Sequence, residues 1–403
     1  MLSLANIKAA RDRIKPVIRQ TPLRYSDRFS ELTDASIYLK LENIQRTGAF
    51  KLRGAMNRIA TLSEADRSGG VITASAGNHA QGVAFAATRA GVDSKIVMPT
   101  HAPVSKRQST ERYGGEVILH GEDYDAAQQR AHEIADTEDR YYLHAFDDQA
   151  VMAGQGTIGL EILDACPSVE TVVVPIGGGG LISGIATAIK AQKPDVRVIG
   201  VQAEGAASAP PSLAADELQS IDSAETIADG IATRQIGAQP FEILQSHVDE
   251  VVTVSDSEIA VAITYLLERE KTLTEGAGAA ALAAVLHDRF SFADNEVIVP
   301  ALCGGNIDMN QLTTVLLRGL VETGRYLRIH TILEDYPGAL EELVAILAAY
   351  DANIYAINHN RTSRTVSMEK ADVEIELETM GPTHIESLLE ALREDGFEVE
   401  VLD

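Results

Sequence analysis

Tryptophan is absent from the 403 residues, all aromatic residues together make up 5%, and there are two cysteines. Cys166 and Cys303 lie far apart with no neighbouring partner, which leaves no disulfide framework and no Cys-x-x-Cys metal site. The expected compartment is reducing. Basic charge is scarce as well: 34 Lys and Arg face 59 Asp and Glu, a formal net charge of −25. Nucleic acid is a poor partner for such a chain, because phosphate backbones are bound by clustered Lys or Arg that displace counterions. Self-repulsion of this size must be screened by salt or divided among subunits, and with arginine outnumbering lysine it reads as adaptation to a salty cytosol. Long apolar runs are missing, and Met1-Leu2-Ser3-Leu4-Ala5-Asn6-Ile7-Lys8 lacks the charged start and apolar stretch of a signal peptide. A soluble, cytoplasmic protein with no membrane partner is expected.

What is present is an ordinary globular content of 45% hydrophobic residues, enough for about two or three domains. From about Gly70 to Gly200, short β-branched runs alternate with helical segments: Val71-Ile72-Thr73, Lys95 to Met98, Val117 to Leu119, Thr171 to Val174 and Val196 to Ile199. That alternation predicts an α/β fold with a largely parallel sheet whose ligands sit beyond the carboxyl ends of the strands. After Gly324 the pattern changes. Leu327, Ile329 and Thr331 alternate as a strand, Leu340, Leu343, Val344 and Leu347 recur at helical spacing, and Ile354 and Ala356 form a further strand. Val373, Ile375 and Leu377 alternate with glutamates, Ile385 to Leu392 make a second helix, and Phe397, Val399 and Val401 close the chain. This βαββαβ order predicts a separate α+β domain over 326–403, with 1–320 before it.

Two remote segments carry the chemistry. Lys51 sits in Thr47-Gly48-Ala49-Phe50-Lys51-Leu52-Arg53-Gly54-Ala55, and Pro175-Ile176-Gly177-Gly178-Gly179-Gly180-Leu181 joins an apolar strand to a helix. A primary amine and a glycine cradle for phosphate together point to pyridoxal phosphate. Taken alone, Lys51 reads as a solvated surface lysine, and the glycine run reads as a plain turn. Four consecutive glycines, however, cost entropy that a plain turn does not require. A dinucleotide loop fails on spacing, since no Gly-x-Gly-x-x-Gly runs from Gly177, Gly178 or Gly179 through Gly184. A Walker loop fails because no Gly-Lys-Ser/Thr follows. Ser75-Ala76-Gly77-Asn78-His79 opens a helix and either grips a carboxylate or merely caps that helix. His79, His101 and His144 show no metal-ligand spacing, and no metal is expected.

With these segments the chain resembles the fold-type II pyridoxal phosphate enzymes, and among them the threonine dehydratase family, over nearly its whole length. Ala49 stands where that family usually has Ser. Ser75 to Gly82 and Gly154-Gln155-Gly156-Thr157 resemble two further motifs. The resemblance implies a smaller subdomain, roughly 50–150, inserted in the larger one. It makes Lys51 the imine lysine and the base for the Cα proton. Phe50 would pack on the ring, Asn78 would bond its oxygen, and Gly177, Gly178, Gly179, Gly180 and Leu181 would hold the phosphate. Ser75, Ala76, Gly77 and His79 would surround the substrate, and Glu275 and Cys303 would lie by the cofactor, the thiol near the pyridine nitrogen. Glu275 also reads as a helix-cap acid and Cys303 as a small buried hydrophobe. Glu204 matches part of a cation site in some relatives, without its second acid.

The resemblance implies dehydration and deamination of L-threonine, and of L-serine, to 2-oxobutanoate or pyruvate and ammonia. Serine racemases in the same group carry a serine where this chain has Ala76. The remaining alternatives are a racemase or β-replacing synthase on the same scaffold, or an amino-acid sensor without catalysis. The tail resembles an ACT domain, which implies an amino-acid effector near Gly338, Leu340 and Asn353, isoleucine biosynthesis as one metabolic setting, and assembly into a homo-oligomer. A purely oligomerising tail is the plainer reading.

Overall fold

The structure is a computed structural model that describes residues 1–362, 367 and 369–402. The chain divides into two compact units, Met1–Gln311 and Leu312–Asp403. This division falls inside the helix Met309–Glu322, earlier than the change of sequence pattern near 320 to 326.

The first unit contains two open sheets. Its strands are β1 (Leu23–Tyr25), β2 (Ser36–Lys40), β3 (Val71–Ala74), β4 (Ser94–Met98), β5 (Glu116–Leu119), β6 (Tyr141–Tyr142), β7 (Thr171–Pro175), β8 (Arg197–Ala203), β9 (Glu250–Val254) and β10 (Val297–Pro300). One sheet runs β1-β2-β10-β7-β8-β9, parallel except where β1 meets β2, and the other runs β5-β4-β3-β6, parallel throughout. Every residue of β3 and β7 is buried, as expected of parallel strands covered by helices on both faces. The helices that matter to the site are α1 (Lys51–Ala60), α2 (Asn78–Ala90), α3 (Gln149–Ala165), α4 (Gly180–Lys190) and α5 (Gly276–Leu286).

The second unit is a four-stranded antiparallel sheet with two helices. In chain order it is β11 (Tyr326–Glu334), α6 (Ala339–Ala349), β12 (Asn353–Asn360), β13 (Lys370–Glu378), α7 (Pro382–Glu394) and β14 (Val399–Leu402), the βαββαβ order read from the sequence. Its strand order is β12-β13-β11-β14. Val373, Ile375 and Leu377 are fully buried and pack with Leu343, Leu347, Leu388 and Leu392 from the two helices.

Helix α1, which begins with Lys51, is pinned from its far side. Arg53 is fully enclosed and uses all five of its N–H groups. Nε and Nη2 donate to Glu42, each at 2.8 Å. Nη1 and Nη2 donate to Glu161 at 2.7 and 2.9 Å, and Nη1 also donates to Thr157 at 3.0 Å. Lys40 donates to Glu161 at 2.5 Å and to the Thr21 carbonyl at 2.7 Å, while the Thr21 hydroxyl donates to Glu42. Two cations and two carboxylates thus form a buried, electroneutral cluster joining α1 to β2, to the turn Glu42–Ile44 and to α3. Burial alone would push the Glu42 carboxyl up, but the Arg53 charge beside it holds it below the usual carboxylate range. The helices meet closely through glycine, since a Cβ on Gly184 of α4 would sit 2.3 Å from the Met152 carbonyl oxygen of α3.

Arg53→Met would strand two buried carboxylates against one lysine. It is expected to lower the unfolding free energy in urea titrations by about 3–5 kcal/mol. Arg53→Lys, which keeps the charge and loses the fork, is expected to cost less. A depressed carboxylate stabilises the fold above its ordinary range and loses that effect as pH falls through its folded value. The gap between wild type and Arg53→Met is therefore expected to narrow in acid, and a gap that widened would contradict the assignment.

Candidate active site

The carboxyl ends of β3 and β7 open on one cavity of about 830 Å³. Every residue that the sequence singled out for catalysis, cofactor or substrate lies on its wall. Phe50 and Lys51 are at the start of α1, and Ser75, Ala76, Gly77, Asn78 and His79 are at the start of α2. Gly177 to Leu181 lead into α4, Glu275 precedes α5, and Cys303 follows β10.

None of these four helices is capped by the side chain of its N-cap residue, and the one side chain that reaches a first turn is Gln155, whose Oε1 accepts from the Gly54 N–H of α1 at 3.1 Å. Six other helices of the unit are capped by Ser3, Ser26, Ser63, Asp123, Asp148 and Ser255, each accepting from a first-turn N–H. Uncapped N–H groups at a cavity wall form a site for anions. The glycine run is no ordinary turn. Gly179 takes φ 90°, in the left-handed region, and Phe146 closes against its neighbours. A Cβ on Gly178 would lie 2.3 Å from the Phe146 ring, and one on Gly180 would lie 2.6 Å from the Phe146 carbonyl oxygen. Backbone itself forms this part of the wall.

The amine of Lys51 donates to the Ala145 carbonyl at 3.1 Å. Ala145 adjoins Phe146, so the amine and the glycine run meet the same two-residue segment. Burial pushes the Lys51 amine down to about 8, against the upward pull of Cys303 and Glu275. A lysine in this state gives up its proton far more readily than a solvated one.

His79 is pushed down to about 3 by burial and by the Lys51 charge. Its Nε2 faces the Leu143 carbonyl at 3.2 Å, and since a carbonyl only accepts, Nε2 carries the proton. The ring is neutral, so it offers a carboxylate no charge. The polar groups left at that end are the N–H groups of α2 and Ser75, whose hydroxyl accepts from the Gly77 N–H at 3.2 Å. Glu275 occupies the cap position of α5 without capping it and accepts instead from Asn78 Nδ2 at 2.5 Å. Burial pushes its carboxyl up. The Cys303 thiol donates to the Ala277 carbonyl at 3.1 Å, and burial, reinforced by Glu275, pushes it up and keeps it neutral.

Sequence reasoning missed the Ala145–Phe146 segment, Ile227, Asp229 to Ile231 and Asn306, all on the cavity wall. The first follows β6, whose two residues are too short to show a period. A usable signal was His144-Ala145-Phe146-Asp147-Asp148 standing just past an apolar stretch. In the Gly154 to Thr157 motif, Gln155 alone reaches the cavity, while Gly156 faces α4 and Thr157 holds Arg53. Glu204 pairs with Arg289 at 3.8 Å, and no cluster of metal-ligating side chains occurs among the described residues.

In the second unit, Gly338 takes φ 109° ahead of α6, Leu340 packs on the core, and Asn353 opens β12. Glu334, at the Gly338 end, pairs with Lys370, whereas Asn353 pairs with Glu378 at the other end of β13. Gly338 and Asn353 are therefore not brought together within one chain.

The sequence matches the model of the family described as pyridoxal-phosphate dependent enzyme over residues 14–304. It is 46% identical over 402 residues to an L-threonine ammonia-lyase of Thermotoga maritima and 47% identical to one of Geobacter sulfurreducens. Each alignment covers 100% of both chains. Among solved structures it is similar to the processed form of threonine deaminase isoform 2 from Solanum lycopersicum (39% identity, TM-score 0.75, covering 77% of this chain and 91% of that one). It is also similar to maize serine racemase (34% identity, TM-score 0.75, covering 79% and 98%). With a half-buried lysine and a bare-backbone helix start on the wall of one cavity, and matched along most of its length, the chain belongs to the family of pyridoxal-phosphate dependent enzymes.

Proposed function

We propose that this chain deaminates L-threonine, and also L-serine, to 2-oxobutanoate or pyruvate and ammonia. The observation that carries the reading is the Lys51 amine, brought down to about 8, on the wall of the same cavity as an uncapped, glycine-walled helix start. The full-length relatives named L-threonine ammonia-lyase support the choice of substrate.

These residues fit pyridoxal 5′-phosphate. Lys51 would bind its aldehyde, the N–H groups from Gly177 to Leu181 its phosphate, and Asn78 its ring oxygen, with Phe50 along the ring. When bound, the cofactor supplies the electron sink that makes the substrate Cα proton labile. Lys51 then takes up that proton, a task suited to an amine whose pKa has been brought down to about 8. The N–H groups at the start of α2, with Ser75, orient the substrate carboxylate. Cys303, whose thiol is kept neutral, would be the neighbour of the pyridine nitrogen and would not hold a proton on it as a carboxylate would. In the net reaction the water lost with the hydroxyl returns when the enamine hydrolyses, so threonine yields one oxo acid and one ammonia.

Racemisation is the second reading, raised by the likeness to maize serine racemase. Ala76, on the cavity wall, has no hydroxyl to exchange a proton at the other face of Cα. The second unit is proposed to bind an amino-acid effector at Gly338, Leu340 and Asn353. Because Gly338 and Asn353 sit at opposite ends of one sheet, a ligand touching both would lie between two copies, which favours a homo-oligomer.

Purified protein given L-threonine is expected to release 2-oxobutanoate and ammonia in equal amounts. Lys51→Ala should abolish both and the visible absorbance of the bound cofactor. D-serine accumulating from L-serine faster than pyruvate would favour the racemase instead. Uptake of pyridoxal phosphate by cofactor-free protein should speed up with pH and level off above about 8, because the neutral amine is the nucleophile. A rate flat between about pH 6 and 9 would contradict a titrating Lys51. Isoleucine and valine, added singly, are expected to change the threonine rate, and Gly338→Val should remove that response while sparing the basal rate.

A further inference from the structure

Asn78 carries an amide whose two ends look alike in shape and differ in chemistry, so its orientation decides what it offers the cavity. The surrounding hydrogen bonds fix that orientation step by step. The Thr47 carbonyl can only accept, and Asn306 Nδ2 donates to it at 2.7 Å. The same Nδ2 lies 2.8 Å from Asn78, which must therefore turn its Oδ1 to Asn306. The opposite end of the Asn78 amide is then Nδ2, and it donates to Glu275 Oε1 at 2.5 Å. The Asn306 backbone also donates to the Glu275 carboxyl, so Asn306, Asn78 and Glu275 close a ring of hydrogen bonds.

Little room is left for another arrangement. A Cβ on Gly304 would lie 2.1 Å from Glu275 Oε1, and one on Gly48 would lie 2.1 Å from Asn306 Oδ1. The two glycines belong to paired segments, since the Gly305 N–H donates to the Gly48 carbonyl at 2.9 Å and the Phe50 N–H to the Cys303 carbonyl at 3.0 Å. The ring is thus built into the same backbone that carries Lys51.

We infer that Asn306 is a positioning residue that holds the Asn78 amide with its N–H groups, never its oxygen, available to the cofactor's ring oxygen. This rests on the proposed contact between Asn78 and that oxygen. One Asn78 N–H is committed to Glu275, and the second remains for the cofactor. A donor there stabilises the ring oxygen as an anion and keeps the neighbouring imine nitrogen protonated, the form that reacts with substrate. A flipped amide would set one acceptor against another. It would also require a proton on Glu275.

The experiment compares Asn306→Asp, Asn306→Ala, Asn78→Ala and the double variant Asn78→Ala/Asn306→Asp. Each is read by the absorbance spectrum with bound pyridoxal phosphate, by cofactor affinity, and by the melting temperature of the cofactor-free protein. Both Asn306 variants are expected to move the visible band to shorter wavelength, as Asn78→Ala does, and to weaken affinity by about ten- to a hundredfold. The double variant should match Asn78→Ala. If Asn78→Ala shifts the band while Asn306→Asp and Asn306→Ala keep the wild-type spectrum and affinity, Asn306 has no positioning role and the contact of Asn78 stands. An unshifted band in Asn78→Ala would remove that contact and the inference with it. A lowered melting temperature in the Asn306 variants with an unshifted band would mark a purely structural residue and overturn the proposal.

Discussion

The site depends on a set of charges that never touches it. Lys51 is the first residue of α1, and two residues later Arg53 points away from the cavity into the cluster with Glu42, Glu161 and Lys40. Taking four charges out of water is costly, and a pair with an imperfect fit would lose more than it gained. Here the fit is complete, since each guanidinium N–H has an acceptor and the charges cancel. What the cluster adds beyond stability is register. A helix that slipped or rotated would break several charged hydrogen bonds at once, so the residue two positions upstream has one place to be. Glycine contacts between α3 and α4 extend the same rigidity to the side of the cavity formed by the glycine run.

That rigidity explains how the helix starts can remain bare. A serine or aspartate cap typically adds about 1 kcal/mol to a helix, and six helices of the first unit use one. Helices α1, α2, α4 and α5 forgo it where they reach the cavity. A side-chain cap would consume the N–H groups that a phosphate or carboxylate needs. The missing caps are a local loss of stability that burial elsewhere in the helices offsets. Their clustering around one cavity is a stronger sign of ligand binding than any one glycine turn.

Much of this was legible in the sequence because it lies in contiguous stretches. The runs at 71, 95, 117 and 171 became β3, β4, β5 and β7, and the alternation of Val373, Ile375 and Leu377 became the buried face of β13. Lys51 and Gly177 to Gly180 were readable because an isolated amine motif and four glycines each break the local composition. What stayed hidden was pairwise. Nothing in the sequence links Thr47, Asn78, Glu275 and Asn306, which are far apart along the chain and adjacent in space. Likewise, Arg53 in a helical pattern reads as an exposed cation until Glu42 and Glu161 are seen beneath it. The capping role first open to Glu275 is not taken up, because its carboxyl accepts from Asn78 instead.

Four titratable groups in the cavity share one tendency. Burial pushes the Lys51 amine and the His79 ring down and the Glu275 and Cys303 groups up, in each case toward the uncharged form. The nearest cations beyond Lys51 are already engaged, Lys106 with Asp229 at 3.5 Å and Arg234 with Asp125. An anionic cofactor in such a cavity meets dipoles more than ions. For a chain with net charge −25, this arrangement has a specific advantage. Backbone N–H groups fixed at helix starts cannot be drawn off by the surplus of carboxylates, as a mobile lysine or arginine would be, and within a cavity salt screens them less than it screens surface charge. Placing the anion on backbone also leaves Lys51 as the one amine in the cavity that is free of a carboxylate partner within hydrogen-bonding distance among the described residues. The residue proposed to change its proton during turnover is the residue the fold keeps from being neutralised by a neighbour.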